Sequence, residues 1–295
     1  RAADQRLKVN RRNLIGTTGI FQKEAGVEIW GDGNMAERID EIGFGTLKLI
    51  QEPEEFCYGV DAVLLADFAA RQKGFFDVNF DGKPVVSRRD SMKDSKIVDL
   101  GSGTGIVPLI LSHKTNCQKI YGVEVQKNSF DRAVRTSTMN GLQDRVEFFD
   151  SDVKEFWKKE GSFLRGDVDI VTSNPPYTAG KGGLTNSNSA KAIARHETTA
   201  DLDDFVRCAA ELLKPKGSLF MVHRPSRLVD LCAAGRACGL EPKEMCFVSP
   251  KEGEIPNILL VHMIKGAGRE LKILKPLAVY DRDGSYTDKL RKSYE

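Results

Sequence analysis

The sequence predicts an α/β protein whose doubly wound, mainly parallel sheet has helices on both faces. From about residue 96 onward, short apolar segments alternate with longer amphipathic ones. This alternation is typical of parallel strands joined by crossover helices. A glycine-rich turn follows the first of these apolar segments at residues 101–105. In open α/β sheets such a turn, at the carboxyl end of a strand, is where a ligand binds.

The segment before this alternation predicts a hairpin and a single helix. Residues 46–50 form one strand, a turn follows at 52–54, and residues 56–58 return as the second strand. Residues 60–70 carry apolar side chains at helical spacing. Residues 71–95 are rich in Gly, Asp, Lys and Arg and have no clean period, so we interpret them as a surface insertion or linker.

The alternating part, residues 96–265, predicts the core of the protein. Strands are expected at 97–100, 119–125, 146–149, 168–172, 218–222, 244–248 and 257–265. Helices are expected at 106–113, in the segment ending at 140, at 202–214 and at 227–238. Residues 266–295 mix basic and acidic residues, and we expect a C-terminal tail.

The first 34 residues differ from the rest because they show no sustained helical or alternating pattern. Met35 reads as a natural translation start, and residues 35–70 then hold the hairpin and helix, packed on the core. We expect residues 1–34 to come from a start codon placed too early or to be added to the native chain. A genuine N-terminal arm is the alternative.

Composition narrows the class of protein. Charged residues make up 29% and hydrophobic residues 40% of the chain, as in ordinary globular proteins. The net charge of +2 means that any nucleic-acid site must be a local basic surface. The six cysteines include no metal-type spacing, so we expect reduced thiols, no metal and a cytoplasmic protein. The longest apolar runs are too short to span a membrane.

Residues 98–105 read Val-Asp-Leu-Gly-Ser-Gly-Thr-Gly and predict a cofactor turn. Glycines at 101, 103 and 105 let a ligand lie against the backbone, and the next helix begins with free N–H groups. We therefore assign Asp99, Gly101, Gly103 and Gly105 to cofactor binding. Ile106 breaks the dinucleotide fingerprint, and the lysine of a P-loop is missing. A purely structural tight turn is the alternative.

Two acids follow the next two predicted strands. Glu124 ends the second, where a carboxylate can accept both hydroxyls of a ribose. Asp152 follows the third, where it could receive an adenine amino group. Either acid could instead be a helix cap or a surface residue. Their shared position at carboxyl strand ends favours a ligand.

Asn174-Pro175-Pro176-Tyr177 follows the fourth predicted strand and is the candidate catalytic motif. The prolines stop the strand and fix an extended backbone. An exocyclic amine is a poor nucleophile because its lone pair is delocalised into the ring. The Asn174 side-chain oxygen and the Pro175 carbonyl could accept its two hydrogens and favour a directed lone pair. Tyr177 offers a flat face for a base.

These motifs resemble the class I methyltransferases, whose Asp/Asn-Pro-Pro-Tyr/Phe motif marks enzymes acting on amino or amide nitrogen. Within that class the chain is most similar to bacterial tRNA adenine-N6 methyltransferases that modify the base beside the anticodon of a valine tRNA. The matching segments are residues 38–40, 49–51, 59–65, 101–105, 174–177, 195–197 and 223–225. The resemblance covers about residues 37–265 and implies S-adenosylmethionine as cofactor, tRNA as partner, a monomer, and a seven-stranded sheet with its last strand antiparallel.

A candidate RNA surface lies next to the catalytic motif. The segment 178–196 contains no acid and is rich in Gly, Asn and Ser, as in a mobile loop suited to phosphates. A second basic segment, 223–227, follows the fifth core strand. The assigned substrate residues are Lys181, Lys191, Arg195, His196, Arg224 and Arg227. A solvated loop without a partner is the alternative.

Other functions fit the sequence less well. A protein-glutamine N5-methyltransferase would use the same motif on a side-chain amide. Such enzymes resemble this core but carry a helical domain before it, whereas here a hairpin and a single helix are predicted before the core. A DNA adenine methyltransferase would need a recognition domain. A nicotinamide oxidoreductase would not need the Asn-Pro-Pro-Tyr motif, and a non-catalytic RNA-binding module would need neither turn.

Overall fold

The structure is a computed structural model that describes residues 37–53, 57–71, 92–176 and 200–294. Its strands are β1 Arg38–Glu41, β2 Lys48–Gln51, β3 Lys96–Leu100, β4 Lys119–Glu124, β5 Val146–Asp150, β6 Val168–Ser173, β7 Leu213–His223, β8 Leu240–Lys251, β9 Ile258–Lys265, β10 Lys272–Ile273 and β11 Leu277–Tyr280. Its helices are α1 Val60–Arg71, α2 Ile106–Lys114, α3 Lys127–Met139, α4 Val153–Phe156, α5 Leu202–Leu212, α6 Leu228–Ala237 and α7 Asp288–Ser293.

The central sheet confirms the predicted α/β class. Its strands follow the order β10-β8-β9-β7-β6-β3-β4-β5, with β11 also paired to β8. Strands β3 to β7 are parallel to their neighbours in this group, whereas β9 runs antiparallel between β7 and β8. The seven strands from β3 to β9 are therefore the expected seven, and the last of them is the antiparallel one.

Alternation along each strand places the core on both faces of the sheet. Ile97 faces the apolar cluster that contains α1 and α2, while its neighbour Val98 faces the cluster formed with α5 and α6. Both side chains are 0% exposed. Successive side chains of a strand point to opposite faces, so a strand buried on both sides becomes continuously apolar. This is the pattern from which the sheet was predicted.

The N-terminal hairpin differs from the prediction. Residues 48–51 form β2 as expected, but the partner strand is β1, before it in the chain, and residues 57–59 form no strand. The turn between the two strands contains Gly43 and Gly45, both at positive φ, where glycine carries no steric penalty. The hairpin is attached to the core through α3, since Asn140 accepts from the backbone N–H of Lys48 at 2.9 Å and donates to its carbonyl at 2.7 Å.

The C-terminal segment was expected to be a tail, but it is folded onto the core. β10 and β11 extend the sheet beyond β8, and α7 packs against α1. The Ser293 hydroxyl donates to Asp67 of α1 at 3.2 Å, and Leu290 is 3% exposed. Most of the predicted insertion at 71–95 lies outside the described residues. The described helices include none that is both long and apolar enough to cross a membrane.

Candidate functional site

The glycine-rich turn joins β3 to α2 at the carboxyl edge of the sheet. Gly101, Gly103 and Gly105 all have positive φ, which favours glycine. Their surroundings differ, however. A Cβ at Gly105 would lie 2.8 Å from the ring of Phe148, and one at Gly101 would lie 3.2 Å from Phe205. Among the described residues, leaving out its chain neighbours, no atom lies within 4 Å of a Cβ placed on Gly103. Gly105 therefore serves helix packing, and Gly103 borders open space that a ligand can occupy.

Glu124 connects the end of β4 to this turn. Its Oε2 accepts from the backbone N–H of Gly103 at 2.8 Å, and its Oε1 accepts from that of Gln126, also at 2.8 Å. The side chain is held in one position, since the residue is only 6% exposed. A carboxylate oxygen can accept more than one hydrogen bond, so a carboxylate held at this strand end is chemically suited to hydroxyl groups of a ligand.

Asp99 lies beneath the turn, at the fourth position of β3. It is 2% exposed, and its Oδ1 accepts from the Thr172 hydroxyl of β6 at 2.6 Å. Burial raises the pKa of the Asp99 carboxyl to about 7, and the hydrogen bonds to Thr172 and Ser102 partly oppose that shift. A carboxyl so far from water holds its proton more tightly because its charged form is poorly solvated. Whether it contacts the cofactor stays a prediction.

Asp152 is the N-cap of α4. Its Oδ1 accepts from the backbone N–H of Lys154 at 2.9 Å, while its Oδ2 lies 3.4 Å from the Lys154 ammonium. This is the capping role that the sequence left open as the alternative to adenine binding. The carboxylate stays at the carboxyl edge next to β5, and the assignment to the adenine remains a prediction.

Val125, directly after Glu124, was missed by the sequence reasoning. Its side chain is 40% exposed, although it follows a strand that is buried along most of its length. An exposed apolar side chain beside a carboxylate that is predicted to bind ribose is suited to packing on a flat heterocycle. The signal for it was present in the sequence as an apolar residue placed after the acid at a strand end.

The candidate catalytic motif follows β6, the neighbour of β3. Leu100 and Ser173 are register partners in these two parallel strands, so Gly101 and Asn174 occupy the next position on each. Adjacent strands lie about 4.8 Å apart, so the cofactor turn and the motif are side by side. Asn174 is half-buried, and its Nδ2 donates to Oδ2 of Asp61 at 3.2 Å. Pro175 is buried and Pro176 is exposed.

A cavity of about 130 Å³ opens beside the two prolines. Its lining includes Pro175, Phe205, His223 and Arg227. His223 is 3% exposed and its Nδ1 accepts from the backbone N–H of Arg224 at 2.8 Å. Burial, aided by the two neighbouring arginines, lowers the pKa of His223 to about 4, so the imidazole is neutral at physiological pH.

The predicted substrate residues are only partly described. Tyr177, Lys181, Lys191, Arg195 and His196 lie outside the described residues. Arg224 is exposed, and Arg227 donates to Asp230 at 2.6 Å while lining the cavity. Both therefore lie on the segment after β7, at the same edge of the sheet as Pro175. Their assignment to RNA stays a prediction.

Comparison with known proteins identifies the family of this chain. The methyltransferase small domain family matches residues 84–229. A tRNA1(Val) (adenine(37)-N6)-methyltransferase of Tolumonas auensis is 30% identical over 167 residues, which span 56% of this chain and 67% of that protein. The chain belongs to the class I S-adenosylmethionine-dependent methyltransferases. A protein of the same name from Actinobacillus pleuropneumoniae serotype 7 is 26% identical over 222 residues, 75% of this chain and 89% of the relative.

Solved structures support the fold of this methyltransferase. A predicted O-methyltransferase of Agrobacterium tumefaciens superposes with a TM-score of 0.57 at 21% identity and covers 79% of this chain and 96% of that one. P. horikoshii TYW2 in complex with MeSAdo gives a TM-score of 0.50 at 12% identity, over 81% and 74% of the two chains. At these identities the likeness concerns the fold alone.

The edge of the sheet fits S-adenosylmethionine, the cofactor of this methyltransferase. The residues that would hold it are Glu124, a carboxylate suited to ribose hydroxyls, Val125, which offers an apolar face, and Gly103, beside which a ligand could lie against the backbone. The bound cofactor supplies an electrophilic methyl group on a sulfonium. The protein's own residues place Asn174 beside the turn that is predicted to bind the cofactor.

Proposed function

We propose that this methyltransferase transfers a methyl group to the exocyclic N6 of an adenine in tRNA, the anticodon-loop adenine next to the anticodon. The observation that carries the proposal is the register of β3 and β6, which sets Asn174 directly beside the cofactor turn. A hydrogen-bond acceptor at this position is suited to an amino group about to receive a methyl group. The names of the relatives from Tolumonas auensis and Actinobacillus pleuropneumoniae support tRNA as the substrate.

The mechanism follows from the chemistry of the amine. The lone pair of N6 is delocalised into the purine ring and becomes nucleophilic only as the nitrogen pyramidalises. The Asn174 side-chain oxygen and the Pro175 carbonyl accept the two N6 hydrogens and favour that geometry, so their effect is greatest in the transition state. The nitrogen gains the methyl group as the methyl–sulfur bond of the sulfonium breaks, which leaves a neutral thioether, and it releases one proton to solvent.

The two prolines of the motif end β6 where the proposed acceptors lie. Proline at 176 has no backbone N–H, and two consecutive prolines hold the chain extended, so β6 cannot continue its ladder at this point. Ser173, the last residue of β6, still pairs with both neighbours and fixes the start of the motif. The acceptors therefore sit on a rigid strand end.

A base in the anticodon loop costs less free energy to bring into this site than a base in a duplex. A base in a duplex must be unpaired and unstacked at a cost of a few kcal/mol before an enzyme can reach it. Single-stranded loops present bases that are already partly unstacked. Arg224 and Arg227, after β7, provide positive charge at the same edge for the RNA backbone.

The test is methyl transfer to unmodified tRNA, followed by nuclease digestion and mass spectrometry. We expect N6-methyladenosine in an anticodon-loop fragment and a fall in kcat of roughly 10²–10³ in Asn174→Ala, the scale of a lost transition-state hydrogen bond. Binding of S-adenosylmethionine should be nearly unchanged. Asn128→Ala, which alters an exposed asparagine of α3, is the matched control. Methylation of glutamine in a protein substrate, with none in tRNA, would instead support the N5-methyltransferase alternative.

A further inference from the structure

Asp61 of α1 contacts Asn174, the candidate catalytic asparagine. Its Oδ2 accepts from Nδ2 of Asn174 at 3.2 Å, across 113 positions of the chain. Its Oδ1 accepts from the backbone N–H of Ala62 at 3.0 Å. Both carboxylate oxygens are therefore engaged, one by its own helix and the other by the end of β6.

The surroundings leave room for the Asp61 carboxylate in this position. A Cβ at Gly59 would lie 2.7 Å from the Asp61 Oδ1, so a residue with a side chain there would push the carboxylate away. The helix that carries Asp61 packs against β6 and β7, and residues 62–69 are buried throughout. Asp61 and Asn174 thus stand on two elements that are packed against each other, and their separation is set by the core.

The chemistry of the contact determines how the Asn174 amide is oriented. A carboxylate only accepts hydrogen bonds, whereas an amide has one accepting and one donating end of nearly equal size. We propose that Asp61 is a positioning residue, which binds the NH₂ end of Asn174 and so directs its Oδ1 toward the amino group of the substrate. This inference rests on the proposed role of Asn174 in accepting from that amine.

Without this contact the NH₂ end of the amide loses its carboxylate acceptor, and rotation by half a turn becomes less costly. Its NH₂ group would then face the hydrogens of the substrate amine, and two donors directed at each other repel. The negative charge of Asp61 also polarises the amide, which makes its oxygen a stronger acceptor. Both effects act on the acceptor in the transition state, and neither involves contact between Asp61 and the cofactor.

An exchange of the two groups tests the pairing. Asp61→Asn should lower kcat, because the amides at 61 and 174 can then each adopt either orientation. Asn174→Asp should also lower kcat, because two carboxylates would face each other at about the 3.2 Å of the present contact. In the double variant the new amide at 61 can donate to the new carboxylate at 174, which again leaves one oxygen for the substrate. We therefore expect Asp61→Asn to lower kcat in the wild-type background and to raise it in the Asn174→Asp background.

The measurements are single-turnover methylation of unmodified tRNA, calorimetric binding of S-adenosylmethionine and thermal unfolding of every variant. Asp61→Ala should lower kcat by roughly 10-fold to 100-fold, less than the loss of the acceptor itself, with little change in cofactor affinity. Asp131→Asn, which removes an exposed acid of α3 paired with Lys127, should match the wild type. If Asp61→Ala fails to fold, the near-isosteric exchange variants still decide the question.

The outcomes separate the two proposals. If Asn174→Ala loses turnover while Asp61→Ala and Asp61→Asn keep it, Asp61 has no positioning role and the proposed function stands. Asp61 also has no such role if Asp61→Asn lowers kcat in both the wild-type and the Asn174→Asp backgrounds. For a purely structural residue, the change in kcat has the same sign in both backgrounds. If Asn174→Ala itself keeps near-normal turnover, the proposed function fails first.

Discussion

The Oε2 atom of Glu124 accepts a hydrogen bond from the backbone N–H of Gly103 at 2.8 Å. This contact joins the ends of two neighbouring strands, so the acid and the glycine turn belong to one rigid surface. Within the described residues, leaving out the chain neighbours of Gly103, no atom lies within 4 Å of a Cβ placed on that glycine. Glu124 and Gly103, both predicted to bind the cofactor, are therefore in direct contact, and their binding role stays a prediction.

The first prediction distinguishes ligand contact from packing within this turn. Gly103→Val should abolish S-adenosylmethionine binding, because the added methyl groups enter the space that the ligand needs. The positive φ of Gly103 also makes valine strained there, so stability should fall, but the fold should survive. Gly105→Ala should instead lower the free energy of unfolding by roughly 1–3 kcal/mol, as overpacking does, since its Cβ would lie 2.8 Å from Phe148. Calorimetry and denaturant unfolding of both variants check this, and unchanged cofactor affinity in Gly103→Val would contradict it.

The second prediction concerns pH and Asp99. Its folded-state pKa of about 7 lies above the ordinary value near 3.9, so the folded protein binds this proton more tightly than the unfolded chain. The stabilisation is therefore complete below about pH 4 and is lost as the pH rises to about 7. Across that window the unfolding free energy of the wild type should fall relative to Asp99→Asn by roughly 1–4 kcal/mol, at about 1.4 kcal/mol per pKa unit.

Urea unfolding of the two proteins at several pH values between about 4 and 8 measures this difference. The comparison isolates Asp99, because every other titrating group is common to both chains. Parallel curves for the two proteins would show that Asp99 does not carry the pH dependence.

The third prediction tests whether the C-terminal segment is part of the folded core. Leu290 of α7 is 3% exposed, so Leu290→Ala should lower the unfolding free energy by about 2–5 kcal/mol, the usual cost for a buried leucine. Its neighbour Arg291 has a side chain 44% exposed, paired only with Asp288 among the contacts described. Arg291→Ala should therefore cost less than about 1 kcal/mol. Equal effects in thermal or denaturant unfolding would mean that α7 is not packed as described.

The fourth prediction concerns Tyr177, which lies outside the described residues. Tyr177→Ala should raise KM for tRNA because a stacking face is worth about 1–3 kcal/mol per base. That loss applies to the bound base before and during the reaction, so kcat should change less than in Asn174→Ala. Tyr177→Phe keeps the flat face and should be mild. Equilibrium binding of unmodified tRNA, together with single-turnover rates, separates the two effects.

The sequence was most informative where local chemistry decides structure. Alternating apolar segments predicted the seven core strands, and the positive φ values of Gly101, Gly103 and Gly105 agree with a turn read from composition alone. The carboxyl ends of parallel strands meet at one edge, so motifs following successive strands had to come together. This is why Asp99, Glu124 and Asn174 could be assigned to a common site without coordinates.

Other features depended on contacts between distant parts of the chain. The sequence alone could not choose between residues 38–41 and 56–58 as the partner of β2, because either segment can supply a short strand. Nor could it show that residues after 265 continue the sheet, since β10 and β11 are too short to carry a period of their own. Their positions follow from the edge that β8 leaves open.

Within the site, the sequence determined which chemical groups are present, and only the tertiary structure decided how they are oriented. Asn174 was assigned from its motif, but its contact with Asp61 joins residues 113 positions apart and depends on the packing of α1 against β6. In the same way, Gly103 and Gly105 look equivalent in the sequence, yet one borders open space and the other borders Phe148. Local pattern specifies strands and turns, whereas the direction of an amide or the surroundings of a glycine are set by side chains that only folding brings near.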